Sequence, residues 1–172
     1  MTEPMTSAAF REALSQFASG VTIVAANSAS GLVGFTATGF TSVSLTPPLV
    51  LVCIDKDASA HGGVVTAEYF GVSILDEKQE WVARQFAQSG IDRFRGVQLR
   101  TSKAGRAPFI DGALAHLDCR KHACLEAGDH TILVGEVLEG VVGVGRPLVH
   151  FARRFGSFVA VAPDGSKVAG QS

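Results

Sequence analysis

A chain of 172 residues and 17.9 kDa accommodates one domain of roughly 150 residues and a short tail, not two full domains. Its 47% hydrophobic and 18% charged residues, with a mean hydropathy of +0.26, exclude an intrinsically disordered chain and point to an apolar surface that a second copy would cover. A formal net charge of -1, from 15 Lys plus Arg against 16 Asp plus Glu, leaves no positive field for nucleic acid or anionic lipid.

In chain order, Phe10, Ala13, Leu14, Phe17 and Ala18 recur at helical spacing after Ser7 as N-cap and before Gly20 as a stop, which predicts one amphipathic helix. From Val21 the texture changes to short runs rich in Val, Ile, Thr and Phe: VTIVAA, GLVGFTATGFTSVSL, PLVLVCI, YFGVSIL, ALAHLDCRKHACL, HTILVGEVLEGVVGV and PLVHFARRFGSFVAV. Six or seven strands are expected, interrupted by helical patches around Ser59 to Thr66 and from Glu77 to Phe86. The other connections are too short for crossover helices. The pattern therefore predicts a mostly β fold with some α, an antiparallel barrel flanked by a few helices rather than a doubly wound sheet. Pro163 to Lys167 is polar and aperiodic, so residues 1–160 are expected to form the domain and 161–172 a flexible tail.

No window reaches the roughly 18 to 20 apolar residues of a membrane span, and the opening MTEPMTSAAF lacks the basic and apolar regions of a secretion signal. Three cysteines form no disulfide framework, and reduced thiols fit the expected cytoplasmic location. Several chemistries drop out on spacing. Gly34 to Gly39 starts like a phosphate loop but continues Phe40-Thr41, not Lys-Ser/Thr. Gly143-x-Gly145 is followed by Arg146-Pro147 and no helix, so the Rossmann fingerprint is absent. A strand carrying Cys119 would send it to the face opposite His116, His122 and Cys124, and no metal site is expected.

Read as a strand, residues 33–45 place Thr36, Thr38, Ser42 and Ser44 on one face and Val33, Phe35, Ala37, Val43 and Leu45 on the other, with a bend at Gly39. Buried hydroxyls need partners, and a polar ligand supplies them. A solvent-facing stripe explains the same alternation. The turn from Cys53 to Ser59 gathers backbone amides, a hydroxyl, the Lys56 cation and the start of a helical patch, a setting suited to phosphate or carboxylate and equally to an ordinary capped turn.

The blocks FREALSQFASGVTIV, GFTATGFTSVSLTPPLVLVCIDKDAS, DGALAHLDCR, AGDHTILVGEV and PLVHFARRFGSF, in this order and spacing over residues 9–158, resemble the flavin reductase-like family. Its members include reductase components of two-component flavin-dependent monooxygenases. The resemblance implies a Greek-key-type, FMN-binding split β-barrel and a homodimer with flavin near the subunit interface. It further implies transfer of hydride from NADH, with NADPH as an alternative donor, to FMN or FAD, and supply of reduced flavin to a partner oxygenase.

Carried over by position, Thr36, Ala37, Thr38, Ser42, Val43 and Ser44 match the strand along the isoalloxazine and ribityl chain, and Cys53, Ile54, Asp55, Lys56 and Ser59 match the turn at ribityl and phosphate. Arg84 and Phe86 lie where the family often adds phosphate or ring contacts. Gly128, Asp129 and His130 match the block whose histidine lies at the nicotinamide site, and Arg153, Arg154 and Phe155 match the segment near the dinucleotide. Gly39 stands where a small polar residue is usual, and Phe155 where tyrosine is frequent. Direct hydride transfer needs stacked rings rather than a side-chain nucleophile. The resemblance makes His130 the catalytic candidate, orienting the carboxamide or donating toward the reduced ring, against a strand-start histidine bonded to a neighbouring carbonyl. Two readings compete: a non-catalytic flavin sensor or store on the same barrel, which would not need the Gly128 to His130 block, and a pyridoxamine phosphate oxidase-like enzyme, for which the basic phosphate set is missing.

Overall fold

The computed structural model describes residues 4–161. Helix α1 (Ser7–Ser15) begins one residue earlier than its apolar spacing predicts from a Ser7 cap, because the cap is Thr6, whose hydroxyl accepts a hydrogen bond from Ala9 N at 3.3 Å. It ends short of Gly20, and none of its residues is buried. The strands that follow are β1 (Ser19–Gly20), β2 (Thr22–Ser28), β3 (Gly31–Ala37), β4 (Phe40–Leu45) and β5 (Pro48–Asp55). The run expected as one bent strand over 33–45 is thus two strands parted by Thr38 and Gly39. Helix α2 (His61–Thr66) leads to β6 (Tyr69–Ile74). A 3-10 turn at Glu77–Gln79, closed by a reciprocal capping box between Asp76 and Gln79, starts α3 (Glu80–Phe86).

Two short strands that periodicity did not reveal, β7 (Leu99–Thr101) and β8 (Pro108–Ile110), form a hairpin. The chain closes with the long hairpin β9 (Ala115–Ala127) and β10 (His130–Val142), then β11 (Leu148–Phe151) and β12 (Arg154–Ser157). Among the described residues twelve strands, several of two to four residues, replace the six or seven expected, because runs too short for a recognisable period still pair. The tail expected from 161 lies, apart from Val161, outside the described residues. No helix among the described residues is long and apolar enough to cross a membrane.

Seven strands form one antiparallel sheet in the order β3-β2-β6-β9-β10-β5-β4. Laid flat, its edge strands would stand about 29 Å apart, six spacings of about 4.8 Å. Those edges, β3 and β4, are joined by only Thr38 and Gly39, a link that reaches about 11 Å at most. The sheet must therefore curl into a barrel that stays unpaired between β3 and β4. Gly39 O accepts a hydrogen bond from Cys53 N of β5 at 2.8 Å, which extends the β4–β5 ladder and fixes the link to β5.

Alternate residues of these strands fill the barrel: Val24, Phe35, Val52, Ile54, Phe70, Cys119 and Leu133 form one buried cluster. Gly135 makes room for the Phe70 ring, since a Cβ there would lie 2.4 Å from Phe70 Cζ. A second cluster, with Ile23, Ala25, Leu75, Val82, Ala83, Phe86, Ile110 and Leu148, packs α3 and the β7–β8 hairpin against the outside. Strand β2 is buried on both faces, which explains its unbroken apolar run.

Candidate active site

The open seam of the barrel carries a cleft of about 660 Å³. The end of β3 contributes Phe35, Thr36 and Ala37, the link to β4 contributes Thr38 and Gly39, the end of β5 contributes Cys53 and Asp55, and the start of β10 contributes His130. Phe86 closes the apolar side from the last turn of α3, where it packs edge-on against Phe94 at 4.9 Å. The register explains the gathering: His130 lies directly opposite Asp55 in the β10–β5 ladder, and the link between β3 and β4 crosses Cys53.

His130 Nδ1 is 2.7 Å from Asp129 Oδ1, and Nε2 has no protein partner among the described residues. The hydrogen bond and charge of His130 hold the Asp129 carboxyl below its ordinary value. Arg93 reaches the cleft from the loop after α3, with Nη1 donating to Gly34 O at 2.9 Å and Nε to Gln88 O at 2.7 Å. Burial lowers its pKa from the usual guanidinium value. The residue was invisible to periodicity, because it sits in an irregular segment where one arginine among Asp92, Arg93 and Arg95 carries no distinguishing spacing.

Of the residues singled out from sequence, Thr36, Ala37, Thr38, Cys53, Asp55, Phe86 and His130 come together in the cleft. The hydroxyl face divides: Thr36 Oγ1 donates to Ala83 O at 2.6 Å, Thr38, Ser42 and Val43 are exposed, and Ser44 Oγ accepts from Thr46 N at 3.2 Å. Ser42, Val43 and Ser44 lie on the edge strand β4 rather than on the cleft lining. Ile54 points into the barrel core. Lys56 is tied to the β9–β10 turn through Gly128 O at 2.8 Å and an ion pair with Glu126, and Ser59 lines a small neighbouring cavity together with Arg93. Gly128 and Asp129 form the turn before His130, with Gly128 at φ +64.

The remaining candidates lie elsewhere. Arg84 pairs with Glu80 at 2.7 Å and covers the Phe155 ring at 5.0 Å, outside the cleft. Arg153, Arg154 and Phe155 belong to the β11–β12 hairpin, beside two further cavities. Along β9, Cys119 is buried while His122 and Cys124 are exposed.

The lining suits a flat, partly apolar ligand with carbonyl and phosphate groups. Its volume lies in the range of nucleotide-sized pockets. Phe35, Ala37 and Phe86 back it from the buried clusters, whereas the Thr38 hydroxyl, Arg93 Nη2 and His130 Nε2 are donors or acceptors without protein partners among the described residues. A Cβ at Gly39 would approach Cys53 Cβ to 3.2 Å, so the glycine keeps the floor between the two strands open.

A curled antiparallel barrel with a cofactor-sized cleft at its seam defines a class of small ligand-binding barrels. The flavin reductase like domain matches residues 14–158, and the chain belongs to that family. It is 41% identical over 157 residues, covering 91% of this chain and 84% of the relative, to the reductase component of the 4-nitrophenol 4-monooxygenase/4-nitrocatechol 2-monooxygenase of Rhodococcus opacus. To the NADH-dependent FAD reductase of Streptomyces globisporus it is 39% identical over 168 residues, 95% of this chain and 91% of the relative. The solved structure of a Streptomyces globisporus NADH:FAD oxidoreductase in complex with NAD and FAD fragments superposes with a TM-score of 0.85 at 39% identity, covering 96% of this chain and 99% of that one. The family resemblance and the antiparallel barrel expected from sequence are both borne out.

Proposed function

We infer that this chain is an NADH-dependent flavin reductase that binds FMN or FAD in the seam cleft and supplies reduced flavin to a flavin-dependent oxygenase component. The observation that carries this reading is the cleft itself, in which Thr38, Cys53, Arg93 and His130 meet in a chain of the flavin reductase family. Flavin, when bound, supplies the ring that accepts two electrons as hydride from the nicotinamide. The link at Thr38 and Gly39 would lie along that ring, with Phe35, Ala37 and Phe86 buried behind it, Arg93 would neutralise a phosphate, and the Thr38 hydroxyl would bond a ring or ribityl oxygen. His130, steadied by Asp129, would orient the nicotinamide through Nε2. The bare edge of β4, where Leu45 is 91% exposed, supports a homodimer. A cytoplasmic location, where an oxygenase partner and NADH are both at hand, completes the reading.

Anaerobic mixing of purified protein with FMN, FAD or riboflavin and then NADH or NADPH tests it. NADH should bleach the flavin absorbance on a stopped-flow timescale; flavin that binds tightly but is never reduced would mean storage instead.

The three thiols provide a second check. Burial and the neighbouring Asp118 push the Cys119 thiol up to about 12, Cys124 is exposed, and Cys53 faces the cleft. In native protein at pH 8, an alkylating reagent should label Cys124 first and leave Cys119 unmodified. Saturating FMN should slow labelling of Cys53 alone by about tenfold or more, read by peptide mass spectrometry. A Cys53 rate indifferent to FMN would place the flavin elsewhere.

A further inference from the structure

We propose that the ion pair between Glu12 and Arg153 selects NADH over NADPH, an inference that rests on the flavin reductase reading. The hydride donor must reach the seam cleft, and among the described residues two cavities adjoin it. One, of about 190 Å³, shares Arg93 and lies between Ser59 and Asp92; it is too small for a nucleotide half. The other, of about 510 Å³, shares Thr38 and Gly39 with the cleft. Phe10 and Leu14 of α1 give it an apolar wall, and Arg11 and Arg153 give it a cationic rim, with the His150 ring beside them. That combination fits the adenylate half of a dinucleotide, a flat base with a doubly charged pyrophosphate.

Arg153 is placed there at a conformational cost. Residues Ala152 and Arg153 form the two-residue turn between β11 and β12, at φ 48 and φ 61. Such a turn needs positive φ at both positions, where Asn-Gly is the usual choice. The turn is bound to α1 by Ala152 N donating to Ser15 O at 2.8 Å and by Arg153 Nη2 with Glu12 Oε2 at 2.9 Å. A connection of purely structural use would carry glycine at 153; this one keeps an arginine there and gives it a carboxylate.

The carboxylate decides the selectivity. A free arginine at the adenylate ribose would bind the 2′-phosphate of NADPH, which brings about -1.5 to -2 charges at pH 7. Glu12 occupies the Arg153 guanidinium and adds a negative charge beside it, while leaving a 2′-hydroxyl acceptable. An acidic residue against the ribose and an arginine against the 2′-phosphate are the two opposed solutions to this choice. Here the two stand paired, with Glu12 in control.

The test uses the full chain with Glu12→Gln, Arg153→Gln and the double variant, measuring NAD+ and NADP+ binding by calorimetry without flavin and kcat/KM for NADH and NADPH with saturating FMN. Glu12→Gln should raise the NADP+ to NAD+ affinity ratio, and the NADPH to NADH ratio of kcat/KM, by about tenfold or more. Adding Arg153→Gln should abolish the gain. Arg153→Gly, which suits the positive φ, should abolish it equally without lowering the melting temperature, separating charge from folding. Unchanged ratios in Glu12→Gln, or a gain that survives removal of Arg153, overturn the proposal. A wild-type protein that neither binds NAD+ nor oxidises NADH defeats the reductase reading and this proposal together, whereas wild-type turnover with unchanged ratios defeats this proposal alone.

Discussion

His130→Ala lowers kcat/KM for NADH by about tenfold or more, the equivalent of roughly 1.4 kcal/mol of lost transition-state stabilisation. The flavin affinity of the same variant changes by less than about threefold, because Thr38 and the Arg93 cation remain in place. The argument turns on what His130 touches: one ring nitrogen is held by Asp129, the other faces a cleft, and the backbone around it is fixed by ladders to β5 and β9. Removing the ring therefore leaves the strand intact and deletes only a contact to the incoming nicotinamide. A packing histidine would behave otherwise, since truncation would lower the melting temperature and loosen both ligands together. Flavin titration, thermal unfolding and NADH kinetics on one variant separate the cases. Normal kinetics would take His130 out of the mechanism.

Arg106→Ala costs about 3 to 5 kcal/mol of folding stability, measured by denaturant titration. Asp118 is 1% exposed, and both Arg106 Nε, at 3.0 Å, and Nη2, at 2.9 Å, converge on its Oδ2. Oδ1 is buried with no partner among the described residues, so the guanidinium carries the whole neutralisation of that carboxylate. Taking it away leaves a charge facing the barrel wall next to Cys119 and removes the stacking of Arg106 on Tyr69 at 5.5 Å. The double variant Arg106→Ala/Asp118→Asn should recover most of the loss, because the cost lies in the orphaned charge rather than in the lost attraction. An Arg106→Ala protein as stable as wild type would mean that Asp118 is solvated by another route.

Much of the scaffold was legible because it depends on local pattern. The runs ALAHLDCRKHACL and HTILVGEVLEGVVGV read as strands and the patch from Glu77 to Phe86 as helical, and the structure pairs the two strands in one long hairpin. The ordered sequence blocks pointed to the family without any coordinates, and through it to the end of β3, the end of β5 and His130. At other candidates the structure supplies partners that the sequence does not pair with them. Lys56 looks free to meet a phosphate in its turn, yet Glu126 and Gly128 hold it across the sheet. Arg84 looks like a second phosphate contact, yet Glu80 and Phe155 take it to the outer face. Arg93 has no motif at all and enters the cleft only because the loop after α3 folds back over Gly34.

The sequence by itself determined composition-level exclusions, strand character, the antiparallel class and the family, since these follow from side-chain periodicity and from ordered blocks that survive without contacts. Tertiary structure alone decided that the run 31–45 splits at Thr38 and Gly39, that the sheet must curl because its two edges are joined by that pair, and which side chains the resulting seam brings into one cleft. The physical reason is that curvature and charge pairing are set by distances between residues far apart in the chain, and those distances are fixed only when seven strands close on one core.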